Sequence, residues 1–104
     1  MSRGVQAAAE KAADSKLLSR NVTVNGRRTS LRLERLMWEA LAEIVRREET
    51  SSNELVTRIA DRRAASSLTA AVRVFIVSYF RAAATDEGHA GAGHGEVRQR
   101  RISA

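Results

Sequence analysis

The hydrophobic pattern of this chain changes period once. From Val22 to Leu33 it repeats every second residue, and from Met37 it repeats at helical spacing. In Arg27-Arg28-Thr29-Ser30-Leu31-Arg32-Leu33, the residues Thr29, Leu31 and Leu33 alternate with Arg28, Ser30 and Arg32. A period of two puts the first set on one face of a β-strand and the second on the other. One face can pack on helices, while the other offers two guanidinium groups and a hydroxyl to something anionic. Asn25-Gly26 separates this strand from Val22-Thr23-Val24. Asn-Gly is the strongest short hairpin signal, because a type I′ turn needs positive φ at both central residues. A two-residue turn pairs Val24 with Arg27, Thr23 with Arg28, Val22 with Thr29 and Asn21 with Ser30. Asn21, Thr23, Arg28, Ser30 and Arg32 then share one face. An isolated hairpin is only marginally stable, so this one needs a partner strand or a packed face.

Three helices follow in the pattern. Glu34 to Glu48 carries Met37, Trp38, Leu41, Ile44 and Val45 on one stripe, with Arg35, Glu39, Glu43 and Arg46 opposite. Trp38 reads as a core anchor rather than a ligand platform. Ser51 and Glu54 form a capping box, which starts a helix running to about Arg62 with Leu55, Val56 and Ile59 as its apolar residues. Free N–H groups and the helix dipole also suit that N-terminus to a phosphate. Ser66-Ser67 caps a third helix, Leu68 to Ala83, with a stripe of Leu68, Val72, Phe75, Ile76 and Tyr79. Val74, Val77 and Phe80 spread apolar character around most of this cylinder. A helix apolar nearly all round must be covered on several sides. One chain of 104 residues has too little else to do so, which implies a dimer with this helix near the two-fold axis.

The remainder sets the domain limits. Residues 1–19 are rich in alanine and charge, and Val5 to Leu18 is helical by propensity. Alanine buries little area, so the segment reads as a frayed, flexible arm that could touch a phosphate through Arg3, Lys11 or Lys16. Residues 20–83 form the domain, and 84–104 a disordered, Gly- and Ala-rich tail. The fold class expected is mainly α with a short β-ribbon.

The formal charge is +6, carried mostly by arginine. A GC-rich genome inflates arginine everywhere, but it does not explain Arg20, Arg27, Arg28 and Arg32 in a stretch without a single acid. Cysteine is absent, which excludes disulfides and thiolate metal sites. His89 and His94 lie in the glycine-rich tail without convergent ligands, so neither metal nor cofactor is expected. No uninterrupted apolar run approaches the roughly 20 residues of a membrane span. The N-terminus lacks a signal-type apolar core, and the expected location is cytoplasmic, nucleoid-associated. Paired carboxylates, a Ser-His-acid set and a phosphate loop are all missing from the patterned region, so an enzyme is not expected.

A basic strand, a helix, a capped turn and a second helix, in this order, resemble the ribbon-helix-helix repressors. The nearest likeness is to bacterial members with an Arg-Thr-Ser-x-x-Leu-Glu strand and a Trp-Glu-Ala-Leu helix start. Here those stand as Arg28-Thr29-Ser30-Leu31-Arg32-Leu33-Glu34 and Trp38-Glu39-Ala40-Leu41. The run Ser66-Ser67-Leu68-Thr69-Ala70-Ala71-Val72-Arg73-Val74-Phe75 also looks like that group. The likeness covers about Asn21 to Arg81.

The resemblance implies a two-fold homodimer whose paired strands enter the major groove of double-stranded DNA, as a transcriptional regulator, in particular a repressor. The base-contacting residues it implies are Arg28, Ser30 and Arg32. Arg27, Ser51, Ser52 and Asn53 would contact phosphates. Two departures stand out: an added hairpin strand before the ribbon strand, and a third helix. If that third helix is the family's second, the clamp moves to Ser66, Ser67 and Leu68. The short turn before Ser51 favours the first register. The competing class is an antitoxin or protein-interaction module using the C-terminal tail. Its large aliphatic residues are only Val97 and Ile102, and its basic end is Arg98, Arg100 and Arg101.

Overall fold

The computed structural model describes residues 2–91, and side chains for 2–85. In chain order the elements are α1 (Arg3–Ala12), β1 (Leu17–Val24), β2 (Arg27–Glu34), α2 (Arg35–Arg47), α3 (Ser52–Arg62) and α4 (Leu68–Gly91). Contacts divide the chain into two units, one up to Arg73 and one from Val74. The tail features at His94, Val97, Arg98, Arg100, Arg101 and Ile102 lie outside the described residues.

β1 and β2 form an antiparallel hairpin in the register the Asn-Gly turn dictates. Val24 faces Arg27, Thr23 faces Arg28, Val22 faces Thr29 and Asn21 faces Ser30. Asn25 and Gly26 have φ of 51° and 79°, the two positive values a type I′ turn requires. β1 reaches back to Leu17, beyond what alternation alone suggests. The adjacent pair Leu17-Leu18 breaks the period in sequence, yet Leu18 stands opposite Leu33 and extends the same inner face.

The inner face is the floor of the first unit's core. Val22, Leu31 and Leu33 are buried there with Trp38, Leu41 and Ile44 of α2 and Leu55, Val56 and Ile59 of α3. Burying such side chains contributes roughly 1.5–3 kcal/mol each. Trp38 also donates from Nε1 to the Leu18 carbonyl at 2.9 Å, which satisfies its only polar side-chain atom and ties α2 to β1.

Helix ends follow local chemistry. α2 stops in a Schellman motif, with Thr50 N–H bonding the Val45 carbonyl at 3.1 Å and Glu49 N–H the Arg46 carbonyl at 3.3 Å. The left-handed residue is Glu49, φ 51°, where a glycine would be unstrained. α3 begins at Ser51, whose Oγ accepts from Glu54 N–H at 3.1 Å. Only this half of the expected capping box forms. The Glu54 carboxylate instead accepts from the Thr50 hydroxyl at 3.1 Å and from Arg58 Nη2 at 2.8 Å. Ser67 caps α4 through Ala70 N–H at 3.1 Å.

The first 19 residues, read from sequence as an arm, contain α1. Ser2 caps it, none of its residues is buried, and Lys11 approaches Glu39 at 3.9 Å. Alanine supplies the helix propensity but little area to bury. α4 runs past the predicted Ala83 to Gly91. Within its second-unit part Ile76 is buried, and Tyr79 stacks near Phe75 and edge-on to Phe80 at 5.3 Å. Val74 and Val77 are 65% and 49% exposed. Over Leu68–Thr85 α4 is long and apolar enough to cross a membrane, with only 11% of that window buried. Arg73, inside the window, pairs instead with Glu34.

Candidate nucleic-acid interface

Because cross-strand partners share a face, the register sorts every hairpin side chain. The outer face carries Ser19 and Arg32, Asn21 and Ser30, Thr23 and Arg28. All six are exposed. Arg28, Ser30 and Arg32 therefore stand together on the side away from the core, as alternation predicts. Across the strands the Ser19 and Ser30 hydroxyls lie 2.7 Å apart, so one donates to the other. That bond fixes the Ser30 hydroxyl at the centre of the face.

The remaining arginines separate from this group. Arg20 belongs to the inner-face register, and its guanidinium sits 5.2 Å from the centre of the Trp38 ring. A cation over an indole face is a stabilising contact on exposed ground. Sequence clustering alone could not tell this arginine from the others. The relevant signal is parity, because Arg20 pairs with Leu31. Arg27, predicted as a phosphate contact, is exposed beside the turn on the opposite face from Arg28.

The two edges of the hairpin are unlike. In an antiparallel pair, residues alternate between exchanging hydrogen bonds with the partner and pointing their backbone groups away. The two-residue turn makes Val24 and Arg27 the first exchanging pair, so Thr23, Asn21 and Ser19 point theirs outward on β1. α3 takes the groups nearest the turn. Thr23 N–H donates to Asn53 Oδ1 at 2.9 Å, and the Thr57 hydroxyl donates to the Thr23 carbonyl at 3.4 Å. Asn25 is held as well, its N–H to Thr57 Oγ1 at 3.3 Å and its Nδ2 to Asp61 Oδ1 at 3.0 Å. On β2 the corresponding outward groups belong to Arg28, Ser30, Arg32 and Glu34. That edge pairs with no strand among the described residues, since the sheet has two strands only.

The three residues expected at the α3 N-terminus do different things. Ser51 is the cap, Asn53 anchors β1, and Ser52 is exposed without a side-chain hydrogen bond to a described residue. They stand beside Thr23, with β1 between them and β2. At the far end of β2, Glu34 accepts from Arg73 Nη2 at 2.9 Å and from Nε at 3.3 Å. Its own backbone N–H, and then Arg73, hold its carboxyl below the usual carboxylate range. Among the described residues no group of three His, Cys, Asp or Glu could hold a metal ion.

Comparison with known proteins bears on the same segment. A family model described as "Ribbon-helix-helix domain" matches residues 17–80, from the first residue of β1 into α4. Among solved structures the chain is similar to an uncharacterized protein from Bordetella pertussis Tohama I, at 30% identity and a TM-score of 0.60. That match covers 69% of this chain and 62% of that one, so this chain spans somewhat less than two thirds of it. No curated protein matches. With the family model covering both strands and the first two helices of the core, the chain belongs to the ribbon-helix-helix domain family, whose members are DNA-binding or antitoxin-like regulators.

Proposed function

We propose that this protein is a homodimeric, sequence-specific binder of double-stranded DNA that regulates transcription, acting as a repressor in the cytoplasm. The observation that carries the reading is the outer hairpin face. Arg28, Ser30 and Arg32 are exposed there side by side, on a strand whose second edge is open. Two copies joined along that edge present a doubled set of these groups, and a β-ribbon fits the major groove.

Arg28 and Arg32 are the base readers in this account. A guanidinium bidentate to guanine O6 and N7 discriminates against the wrong base by about 1–3 kcal/mol. Ser30 can donate or accept and is less selective. Arg27, Ser51, Ser52 and Asn53 are assigned to phosphates, where contact positions the protein without reading sequence. Two-fold symmetry then requires an operator of symmetric or repeated short half-sites. The exposed Val74 and Val77 of α4 supply further apolar surface for the second copy, with this helix near the two-fold. Repression follows from occlusion of a promoter, a step that rests on family analogy.

The same exposed valines favour one other reading, an antitoxin-type module whose apolar surface takes a different protein. A stoichiometric second protein co-purifying from the native host supports that reading. The direct test is selection of bound fragments from random duplex DNA at two salt concentrations. The proposal expects a recurrent short motif at both, with total binding falling steeply with salt. Binding that shows no motif at either salt contradicts sequence-specific recognition.

A further inference from the structure

With β2 as the groove-entering strand, the outer face of β1 is left without an assigned contact, and the register supplies one. We infer that the outer face of β1, through Ser19, Asn21 and Thr23, is the protein's phosphate-contacting flank on each side of the groove. The inference rests on the proposed pairing of two copies along β2.

Width forces the division of labour. Joining two hairpins along their β2 edges gives the order β1, β2, β2 of the second copy, β1 of the second copy. Three strand spacings of about 4.8 Å put the outermost backbones about 14 Å apart before side chains are added. The major groove is only about 12 Å wide. The central pair can enter, but the outer strands cannot follow it to the base edges. Each β1 must lie over a groove wall, which is sugar and phosphate.

Chemistry separates the two strands in the same way. The outer face of β2 presents Arg28, Ser30 and Arg32, the groups that read base edges. The outer face of β1 presents Ser19, Asn21 and Thr23, which are neutral, short and able to donate. Hydroxyl and amide donors of this kind supply many protein–DNA phosphate contacts. All three are exposed, and the Asn21 side chain makes no hydrogen bond to any other described residue. An amide with no structural work, at the middle of the strand, is available to a ligand.

The order of elements strengthens the assignment. The first turn of α3 reaches the sheet by way of Thr23 N–H and Asn53, on the side of β1 away from β2. A helix N-terminus that would flank a two-stranded ribbon directly is here set one strand further out. β1 lies between α3 and β2 at this point, so it meets the backbone before α3 does.

The test uses the full chain, an operator obtained by selection and an unrelated duplex of equal length. Asn21→Ala is the primary variant and Thr23→Val, nearly isosteric, the second. Thermal melting checks that each remains folded. Each variant is expected to weaken binding to both duplexes by the same factor, on the order of tenfold for a lost hydrogen bond to a charged group. The operator-to-unrelated ratio stays that of the wild type. A changed ratio would place β1 inside the groove and overturn the inference, as would wild-type affinity for both duplexes. Arg28→Ala separates the two readings. If it lowers the ratio while Asn21→Ala changes nothing, the flank assignment fails and the reading strand stands. If the wild-type chain binds neither duplex, both fail.

Discussion

The two faces of one hairpin share a backbone and a register, and differ in everything else. On the inner face Leu31 and Leu33 are closed off from solvent beneath Trp38, Leu41 and Ile44. On the outer face, Arg28, Ser30 and Arg32 are exposed, and Ser30 shares a hydrogen bond with the hydroxyl of Ser19. Stability is concentrated on one side, and the recognition we propose falls on the other. A strand achieves this because successive side chains point opposite ways, so adjacent residues can serve unrelated purposes. Neighbouring substitutions on this hairpin should therefore behave independently.

The largest effect belongs to the inner face. Leu33→Ala should cost about 2–5 kcal/mol, as for other fully buried leucines. Urea unfolding measures it, and Arg32→Ala, one residue away, should leave the midpoint unchanged. Equal losses from both would show that the faces are not separate. Next comes the covered edge of β1. Asn53→Ala removes the acceptor for Thr23 N–H and should cost about 1 kcal/mol. If the same variant weakens DNA binding, it should do so for all sequences alike.

A comparable change of opposite sign is available at the end of α2. Glu49 holds a left-handed φ of 51° in the Schellman turn. Glu49→Gly should raise stability by up to about 1 kcal/mol, because glycine takes that conformation without a Cβ penalty. Calorimetric melting would show it, and a lowered melting temperature would contradict the turn assignment.

The smallest effect is the pH dependence at the foot of β2. The Glu34 carboxyl is held below its ordinary value, first by its own backbone N–H and then by Arg73. A depressed carboxylate contributes stability that is present above its unfolded pKa. That contribution is lost as pH falls through the folded one. Melting temperature should therefore drop on the acid side of the ordinary carboxylate range, and Glu34→Gln should flatten that part of the profile. An unchanged profile would mean that the pair is solvated too well to matter.

Much of the first unit was legible because its signals are local. Asn25-Gly26 dictates a turn, the turn dictates the register, and the register assigns every side chain from Asn21 to Ser30 to a face. The family followed from Arg28-Thr29-Ser30 and Trp38-Glu39-Ala40-Leu41 in sequence order. What was illegible depends on partners distant in the chain. Nothing near Asn53 in sequence marks it as the acceptor for a strand thirty residues earlier, and it reads as a capping or phosphate residue instead. Arg20 looked like part of the basic cluster because composition does not record which face a residue takes. Glu54 was predicted to complete a capping box, but Thr50 and Arg58 compete for its carboxylate. α1 is legible only as the helix propensity of Val5 to Leu18, because an alanine-rich segment with no buried residue leaves no stripe to fix its bounds.

The central claim is that the outward side chains of β2 read DNA. Its most direct test is quantitative binding of Arg28→Ala, Arg32→Ala and wild-type protein to a selected operator and to an unrelated duplex at fixed salt. The account predicts that each variant keeps its folded melting temperature and loses most of its preference for the operator. Variants that bind both duplexes with wild-type affinities would contradict it.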